Sequence, residues 1–149
     1  MLATIIYTSL TGNTEEIAEI ITDELENQGL EVDLLNIEDA EGDEFEDADI
    51  CVVCSYTYDD GVVPEEIYDF YEELPSFDLS GKIYGVAGSG DTFYEDFCTA
   101  VDDFEKAFDQ TGAIKGTNGV KIELAPEADD IEKLEEFART LVQKAQENE

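Results

Sequence analysis

The segment YTSLTGNTEEIA, residues 7–18, joins a buried apolar run to an amphipathic one. The run ATIIYTS (3–9) predicts a buried strand, and apolar residues then recur at helical spacing from Ile17 to Leu25, where Gly29 ends the helix. A strand that leads directly into a helix brings unpaired N–H groups and the positive end of the helix dipole to the strand's end. The junction is therefore predicted to bind an anion.

The side chains of this junction favour a phosphate over a simple helix cap. Ser9, Thr11 and Thr14 supply hydroxyl groups, and Asn13 supplies an amide. Gly12 allows the backbone to curl close to a ligand. A helix cap needs one such side chain, whereas this loop offers four. We interpret residues 8–14 as a phosphate-binding loop.

The same loop excludes two common nucleotide motifs. A P-loop requires Gly-Lys-Ser/Thr, and a dinucleotide fingerprint requires three glycines, but here Gly12 stands alone. The first lysine or arginine in the chain is Lys82. Neutral donors must therefore hold the phosphate, which predicts a small monophosphate bound at fixed stoichiometry.

The rest of the chain alternates between strand and helix patterns. Further strands are predicted over residues 30–37, 48–56, 82–89 and 119–124. Helical spacing begins at Pro64 in the first-turn position, at Phe97 with an end near Gly112, and just after Pro126. A further helix between residues 38 and 47 is compatible with the pattern. This order predicts one α/β domain over residues 1–149, a doubly wound parallel sheet with helices on both faces. Ligands of such sheets bind beyond the strands' carboxyl ends, here the loops after residues 8, 55 and 88.

The composition restricts the function classes. The 149 residues include 40 acidic and 7 basic ones, for a formal net charge of -33. Nucleic acid and anionic membranes would be repelled, whereas basic protein partners would be attracted. Solvation of the surface is an equally good explanation of the charge. With three cysteines, no secretory signal and no long apolar run, we expect a cytoplasmic protein with reduced thiols.

The cysteines and the lack of histidine argue against metal or catalytic chemistry. Cys51 and Cys54 form a C-x-x-C, but residues three apart on a strand point to opposite faces. Cys98 is interpreted as a packing residue on a helix. The chain has no histidine to act as a base or to complete a metal site.

Three segments together resemble the flavodoxin family. SLTGNTEEIA (9–18) resembles its T/S-x-T-G-N-T-E phosphate loop, YTYDDGVVP (56–64) its Y-T-W-G-D-G-x-x-P loop, and GSGDTFYEDFC (88–98) its G-x-G-D-x-x-Y-x-x-F-C loop. The resemblance spans the chain, and the absence of a long insertion in the last strand is similar to the short-chain bacterial branch. It implies a five-stranded sheet in the order 2-1-3-4-5 and non-covalently bound FMN.

The resemblance also implies which residues contact FMN. Those residues are Ser9, Leu10, Thr11, Gly12, Asn13 and Thr14 in the first loop, Tyr56, Thr57, Tyr58, Asp59 and Asp60 in the second, and Ser89, Gly90, Asp91 and Tyr94 in the third. Tyr58 and Tyr94 would flank the flavin ring, and the backbone of residues 89–91 would bind its pyrimidine edge.

Two residues of the second loop differ from the family pattern. Tyr58 stands where tryptophan is most common, which reduces the stacking area. Asp59 stands where many members have a glycine whose peptide turns toward the flavin after one electron arrives. A residue with a Cβ resists that conformation, so we expect weaker stabilisation of the one-electron-reduced flavin, by about 1 kcal/mol.

The function implied by the resemblance is low-potential one-electron transport, with no catalytic residues and no metal. A monomer would shuttle electrons from a flavodoxin reductase or oxidoreductase to acceptor enzymes with basic surfaces. One alternative is a dedicated activator of a single enzyme such as ribonucleotide reductase. A phosphoacceptor receiver domain and an FMN-dependent quinone reductase fit less well, because the first needs an acidic pair after the first strand and the second a larger chain.

Overall fold

The computed structural model describes residues 1–10, 12–41, 43–57, 63–91 and 97–148. Its strands are β1 (Leu2–Tyr7), β2 (Glu31–Asn36), β3 (Ile50–Tyr56), β4 (Ile83–Gly90), β5 (Ile114–Lys115) and β6 (Val120–Glu123). Its helices are α1 (Asn13–Asn27), α2 (Glu65–Glu73), α3 (Thr99–Asp109) and α4 (Ala128–Glu147). Short 3-10 turns cover Ile37–Asp39, Glu44–Asp47 and Leu74–Ser76.

The sheet confirms the predicted order. All described pairings are parallel, and the strands are arranged β2-β1-β3-β4-β5. The fifth position is shared, because β5 pairs with the start of β4 and β6 pairs with its end. Between the two pairings β4 advances from Tyr84 to Ala87, whereas the partner segment advances from Lys115 to Val120. The partner segment therefore has extra residues between β5 and β6 that belong to neither strand. This interruption was not predicted from the sequence.

The sheet is buried on both faces, which is why its central strands read as continuous apolar runs. On β1, Ala3 and Ile5 face the core formed with α1 and α4, whereas Ile6 faces the core formed with α2 and α3. The C-x-x-C cysteines divide in the same way, with Cys54 in the first core and Cys51 in the second. Burial raises the pKa of the Cys51 thiol to about 12 and also raises that of Cys54. The prediction that their side chains diverge is confirmed.

Two local predictions need correction, and one open possibility is resolved. Among the described residues between 38 and 47, the structure has 3-10 turns and no α-helix. Pro64 lies directly before α2, in an extended conformation, and not in the first turn. Cys98 also lies outside its helix: it precedes α3 with a left-handed backbone, φ 52°. Within the described ranges, no helix is both long enough and apolar enough to span a membrane.

Candidate functional site

The strand register brings three carboxyl ends together at one edge of the sheet. Tyr7 of β1 is paired with Cys54 of β3, and Tyr56 of β3 is paired with Ser89 of β4. The chain turns from β1 to β2 on one side and crosses to β3 on the other, so winding reverses between β1 and β3. Ligands of open α/β sheets bind at this reversal.

The first loop is folded around its own polar groups. Ser9 Oγ accepts a hydrogen bond from the Gly12 N–H at 3.0 Å, so the Ser9 side chain closes the loop and does not cap α1 directly. Gly12 has φ +92°, a conformation in which a side chain would be strained. The first hydrogen bond within α1 runs from the Glu16 N–H to the Gly12 carbonyl. The backbone N–H groups that precede Glu16 in the first turn come before this series of bonds and are not paired within the helix. Leu10, also predicted to contact FMN, is 68% exposed.

The electrostatics of the first loop are unusual for a phosphate site. The first turn of α1 carries Glu15 and Glu16 and no basic residue. Lys82, the first cation in the sequence, lies just before β4 at the opposite end of the sheet, where its Nζ donates to the Ala48 carbonyl at 2.7 Å. The groups that the loop and the first turn of α1 themselves offer a phosphate are N–H groups, hydroxyls and the helix dipole.

A buried hydroxyl pair joins the first loop to the third. Thr14 Oγ1 and Ser89 Oγ are 2.8 Å apart, and either can be the donor. Thr14 is 1% and Ser89 4% exposed. The structure therefore brings together two predicted site residues from different loops.

The second loop is attached to the helices that flank it. Thr57 Oγ1 accepts a hydrogen bond from the Ala100 N–H in the first turn of α3, at 3.1 Å. The Tyr56 hydroxyl donates to Glu66 of α2 at 2.6 Å. These contacts hold Tyr56 and Thr57, the two residues that directly precede residues 58–62. Neither contact has a sequence signal, because the partners are far apart in the chain or lack a motif.

The end of β4 is packed too tightly for side chains at two glycines. A Cβ on Gly88 would lie 2.3 Å from the Ser55 carbonyl oxygen, and one on Gly90 would lie 2.8 Å from Cys98 Sγ. The Cys98 thiol is buried and donates to the Ile122 carbonyl at 3.7 Å. Cys98 belongs to the core formed with α2 and α3, so it is a packing residue, as predicted, and burial raises its pKa to about 12. The backbone that would face the flavin's pyrimidine edge is thus packed against Ser55 and Cys98.

The described part of the predicted site fits FMN in its donor chemistry. The helix start, the loop hydroxyls and a first turn of α1 without a basic residue suit a monophosphate, and residues 89–91 present a glycine-containing backbone at a nearby strand end. Asp91 is half-buried. Five predicted site residues lie outside the described residues: Thr11, Tyr58, Asp59, Asp60 and Tyr94.

Known proteins of the same kind match nearly the whole chain. The family model described as Flavodoxin matches residues 5–137. Probable flavodoxin 1 of Bacillus subtilis (strain 168) is 41% identical over 138 residues, which cover 92% of this chain and 87% of the relative.

Two solved structures are similarly close. A flavodoxin of Streptococcus pneumonia TIGR4 is 53% identical with a TM-score of 0.94, covering 97% of this chain and 99% of the other. A short-chain flavodoxin associated with a PDU bacterial microcompartment is 50% identical with a TM-score of 0.95 and the same coverage.

Proposed function

The chain belongs to the flavodoxin family of FMN-binding electron-transfer proteins, and we propose that it is a low-potential one-electron carrier between a reductase and acceptor redox enzymes. FMN supplies the redox chemistry, because its ring accepts and releases single electrons. The polypeptide binds the cofactor, orients it and sets the charge around it. The observation that supports this proposal best is the start of α1 at the carboxyl edge of the sheet, with a first turn that carries no basic residue and follows a hydroxyl-rich loop.

Each loop has a separate task in this proposal. Residues 9–14 hold the phosphate at the start of α1. Tyr58 and Tyr94 flank the ring, and residues 89–91 donate backbone hydrogen bonds to its pyrimidine edge. Residues 56, 57, 59 and 60 complete the second loop. The tightly packed end of β4 supports this assignment, because a donor backbone must be rigid to orient a flat ring.

The charge distribution would lower the reduction potential. Residues 1–81 contain 24 of the 40 acidic residues and none of the seven basic ones. Adding an electron to a group near fixed negative charges costs free energy, and a lysine at the phosphate would offset part of that cost. Held by neutral donors, the phosphate keeps its own negative charge near the flavin. Both effects favour a strongly reducing carrier.

The same charge would guide the protein to its partners. A net charge of -33 attracts basic surfaces on a reductase or an acceptor and accelerates their encounter. We propose that docking uses the edge of the sheet at which the three loops meet, where Glu65 in the first turn of α2 is exposed. The protein would act as a monomer in the cytoplasm.

Electron-transfer kinetics with a basic reductase test this proposal. We expect the second-order rate constant to fall as ionic strength rises. Glu65→Gln should lower it, whereas Glu147→Gln removes an equal charge at the opposite end of the molecule and should change it less. Glu147 is exposed in the last turn of α4, whose following residue Asn148 donates to Gly81 before β4. Equal effects of both substitutions, or a rate independent of salt, would refute docking at the loop edge.

A comparison of acceptors separates a shuttle from a dedicated activator. The reduced protein is mixed with two unrelated acceptor enzymes at the same ionic strength. A shuttle transfers electrons to both at comparable rates, whereas an activator of one enzyme serves a single acceptor.

A further inference from the structure

We propose that Thr14 and Ser89 form a positioning pair that fixes the phosphate-binding loop relative to the ring-binding loop of the FMN site. The proposal rests on the proposed function, which assigns the phosphate to the start of α1 and the pyrimidine edge to the end of β4. It gives these two residues a role toward each other in addition to any contact with the cofactor.

The geometry of the pair supports a mechanical connection. The two hydroxyl oxygens are 2.8 Å apart although the residues are 75 positions apart in sequence. Thr14 is the second residue of α1, and Ser89 is the penultimate residue of β4. The bond therefore joins the first turn of the helix to the strand end across the sheet edge. Both side chains are nearly inaccessible, so water cannot readily replace either partner.

The strand end is a firm anchor for this bond. Gly88 is pressed against the Ser55 carbonyl and Gly90 against Cys98, so the backbone on either side of Ser89 has little room to move. The Gly90 carbonyl also accepts a hydrogen bond from the Leu124 N–H at 2.8 Å. Because the strand end is held on both sides, the hydroxyl pair transmits its position to the start of α1.

The flavodoxin pattern does not require this bond. Ser89 occupies the unspecified position of G-x-G-D, so the resemblance alone implies no hydroxyl there. The pair therefore rests on the geometry of this chain. It was not predicted from the sequence, since no local pattern connects a helix start with a strand end so far along the chain.

The pair should matter most for a ligand that has both a phosphate and a ring. FMN occupies both anchors at once, so its affinity depends on how well their separation is preset. Riboflavin has the same ring without the phosphate and uses one anchor. Loss of the bond would therefore weaken FMN binding more than riboflavin binding. A general loss of structure would weaken both ligands alike.

The experiment measures the dissociation constants of FMN and riboflavin on the full chain stripped of flavin, by quenching of flavin fluorescence. Ser89→Ala removes one hydroxyl, and Thr14→Val removes the other. Thr14→Ser keeps the hydroxyl and is the conservative rescue. Thr22→Ala is the matched control, because Thr22 lies on the same helix and its hydroxyl donates to the Ala18 carbonyl, away from the loops.

We expect Ser89→Ala to weaken FMN binding on the order of 10-fold and riboflavin binding by about 2-fold or less. Ser89→Ala combined with Thr14→Val should weaken FMN binding by clearly less than the product of the two separate fold-changes, because both substitutions remove the same bond. Thr14→Ser should bind FMN more tightly than Thr14→Val, because it keeps the hydroxyl, and Thr22→Ala should bind FMN within about 2-fold of the unchanged protein.

Equal weakening for FMN and riboflavin, or unchanged FMN affinity in Ser89→Ala, would overturn the positioning pair while leaving the proposed function intact. Failure of the unchanged protein to bind FMN would overturn the proposed function and this inference with it. If Ser89→Ala does not fold, Ser89→Cys replaces it: its thiol bonds more weakly, so the same preferential loss of FMN binding is expected, and equal loss overturns the pair.

Discussion

Thr57 caps helix α3 from a different loop. Its Oγ1 accepts a hydrogen bond from the Ala100 N–H at 3.1 Å, across 43 residues of sequence. Cys98, which directly precedes α3, has a left-handed backbone and makes no side-chain cap. Thr57 lies just before residues 58–62, and α3 begins shortly after residues 92–96. The bond therefore joins the bases of the two loops proposed to flank the flavin ring.

Replacement of Thr57 by valine removes the acceptor and keeps the shape of the side chain. We expect the free energy of unfolding to fall by about 1 kcal/mol, because the helix loses a cap. FMN binding should weaken as well, since the ring-flanking loops lose a connection. Chemical denaturation and FMN titration measure the two effects. Thr57→Ser retains the oxygen and should behave like the unchanged protein; equal effects of serine and valine would contradict a capping role.

Thr4 offers a stabilising substitution. It is fully buried on β1, and its hydroxyl oxygen has no hydrogen-bond partner among the described residues. Thr4→Val replaces this hydroxyl by a methyl group of similar size, so the free energy of unfolding should rise by about 1 kcal/mol. The urea midpoint provides the measurement.

Thr111→Val is the matched control for this substitution. Thr111 is also buried, but its hydroxyl is bonded to Phe108 and Ala113. Its replacement should lower the free energy of unfolding. A destabilised Thr4→Val would mean that the Thr4 hydroxyl has a partner in solution.

The buried thiols predict a loss of stability in alkali. The ordinary thiol pKa is 9.0, and burial raises that of Cys51 to about 12 in the folded protein. The contribution of the neutral Cys51 thiol to the free energy of unfolding is therefore fully present below pH 9 and is lost as the pH rises toward 12. In this range one such thiol lowers the free energy of unfolding by about 1.4 kcal/mol per pH unit.

In Cys51→Ala the free energy of unfolding should fall less steeply with pH, by the contribution of one thiol. This expectation holds whatever the substitution does to stability at neutral pH. Denaturation curves at several pH values between 8 and 11 provide the slopes for both proteins. Parallel pH dependences would show that Cys51 does not ionise preferentially in the unfolded chain.

Asp59 is proposed to limit stabilisation of the one-electron-reduced cofactor. It lies outside the described residues, so this prediction rests on the resemblance of its loop to the flavodoxin pattern. Asp59→Gly should restore the backbone freedom of the glycine-bearing members and stabilise the one-electron-reduced flavin by about 1 kcal/mol. The first one-electron potential should therefore rise relative to the second. Redox titration measures both. An unchanged difference between the potentials would refute the role of Asp59.

The sequence predicted a parallel sheet covered on both faces because those signals are local and repeated, whereas the order of the strands came from the resemblance to the flavodoxins. Continuous apolar runs such as residues 48–56 indicated burial on both faces, and alternation with helical spacing indicated parallel pairing. The divergence of Cys51 and Cys54 followed from the two-residue period of a strand. These properties depend on a few neighbouring residues each.

What could not be predicted depends on contacts between distant segments. The Thr14–Ser89 and Thr57–Ala100 bonds have no local pattern. The interruption between β5 and β6 depends on the register against β4, and the positions of Pro64 and Cys98 depend on where α2 and α3 begin. The predicted helix start after the first loop is confirmed, but Ser9 closes the loop instead of capping the helix.

The most direct measurement is an anaerobic redox titration of the FMN-bound protein, with free FMN measured under the same conditions. We predict two resolved one-electron steps, the second at a potential clearly below that of free FMN, because the cofactor is held by neutral donors in negative surroundings. A single two-electron step at the potential of free FMN would contradict the proposal that this chain is a low-potential one-electron carrier.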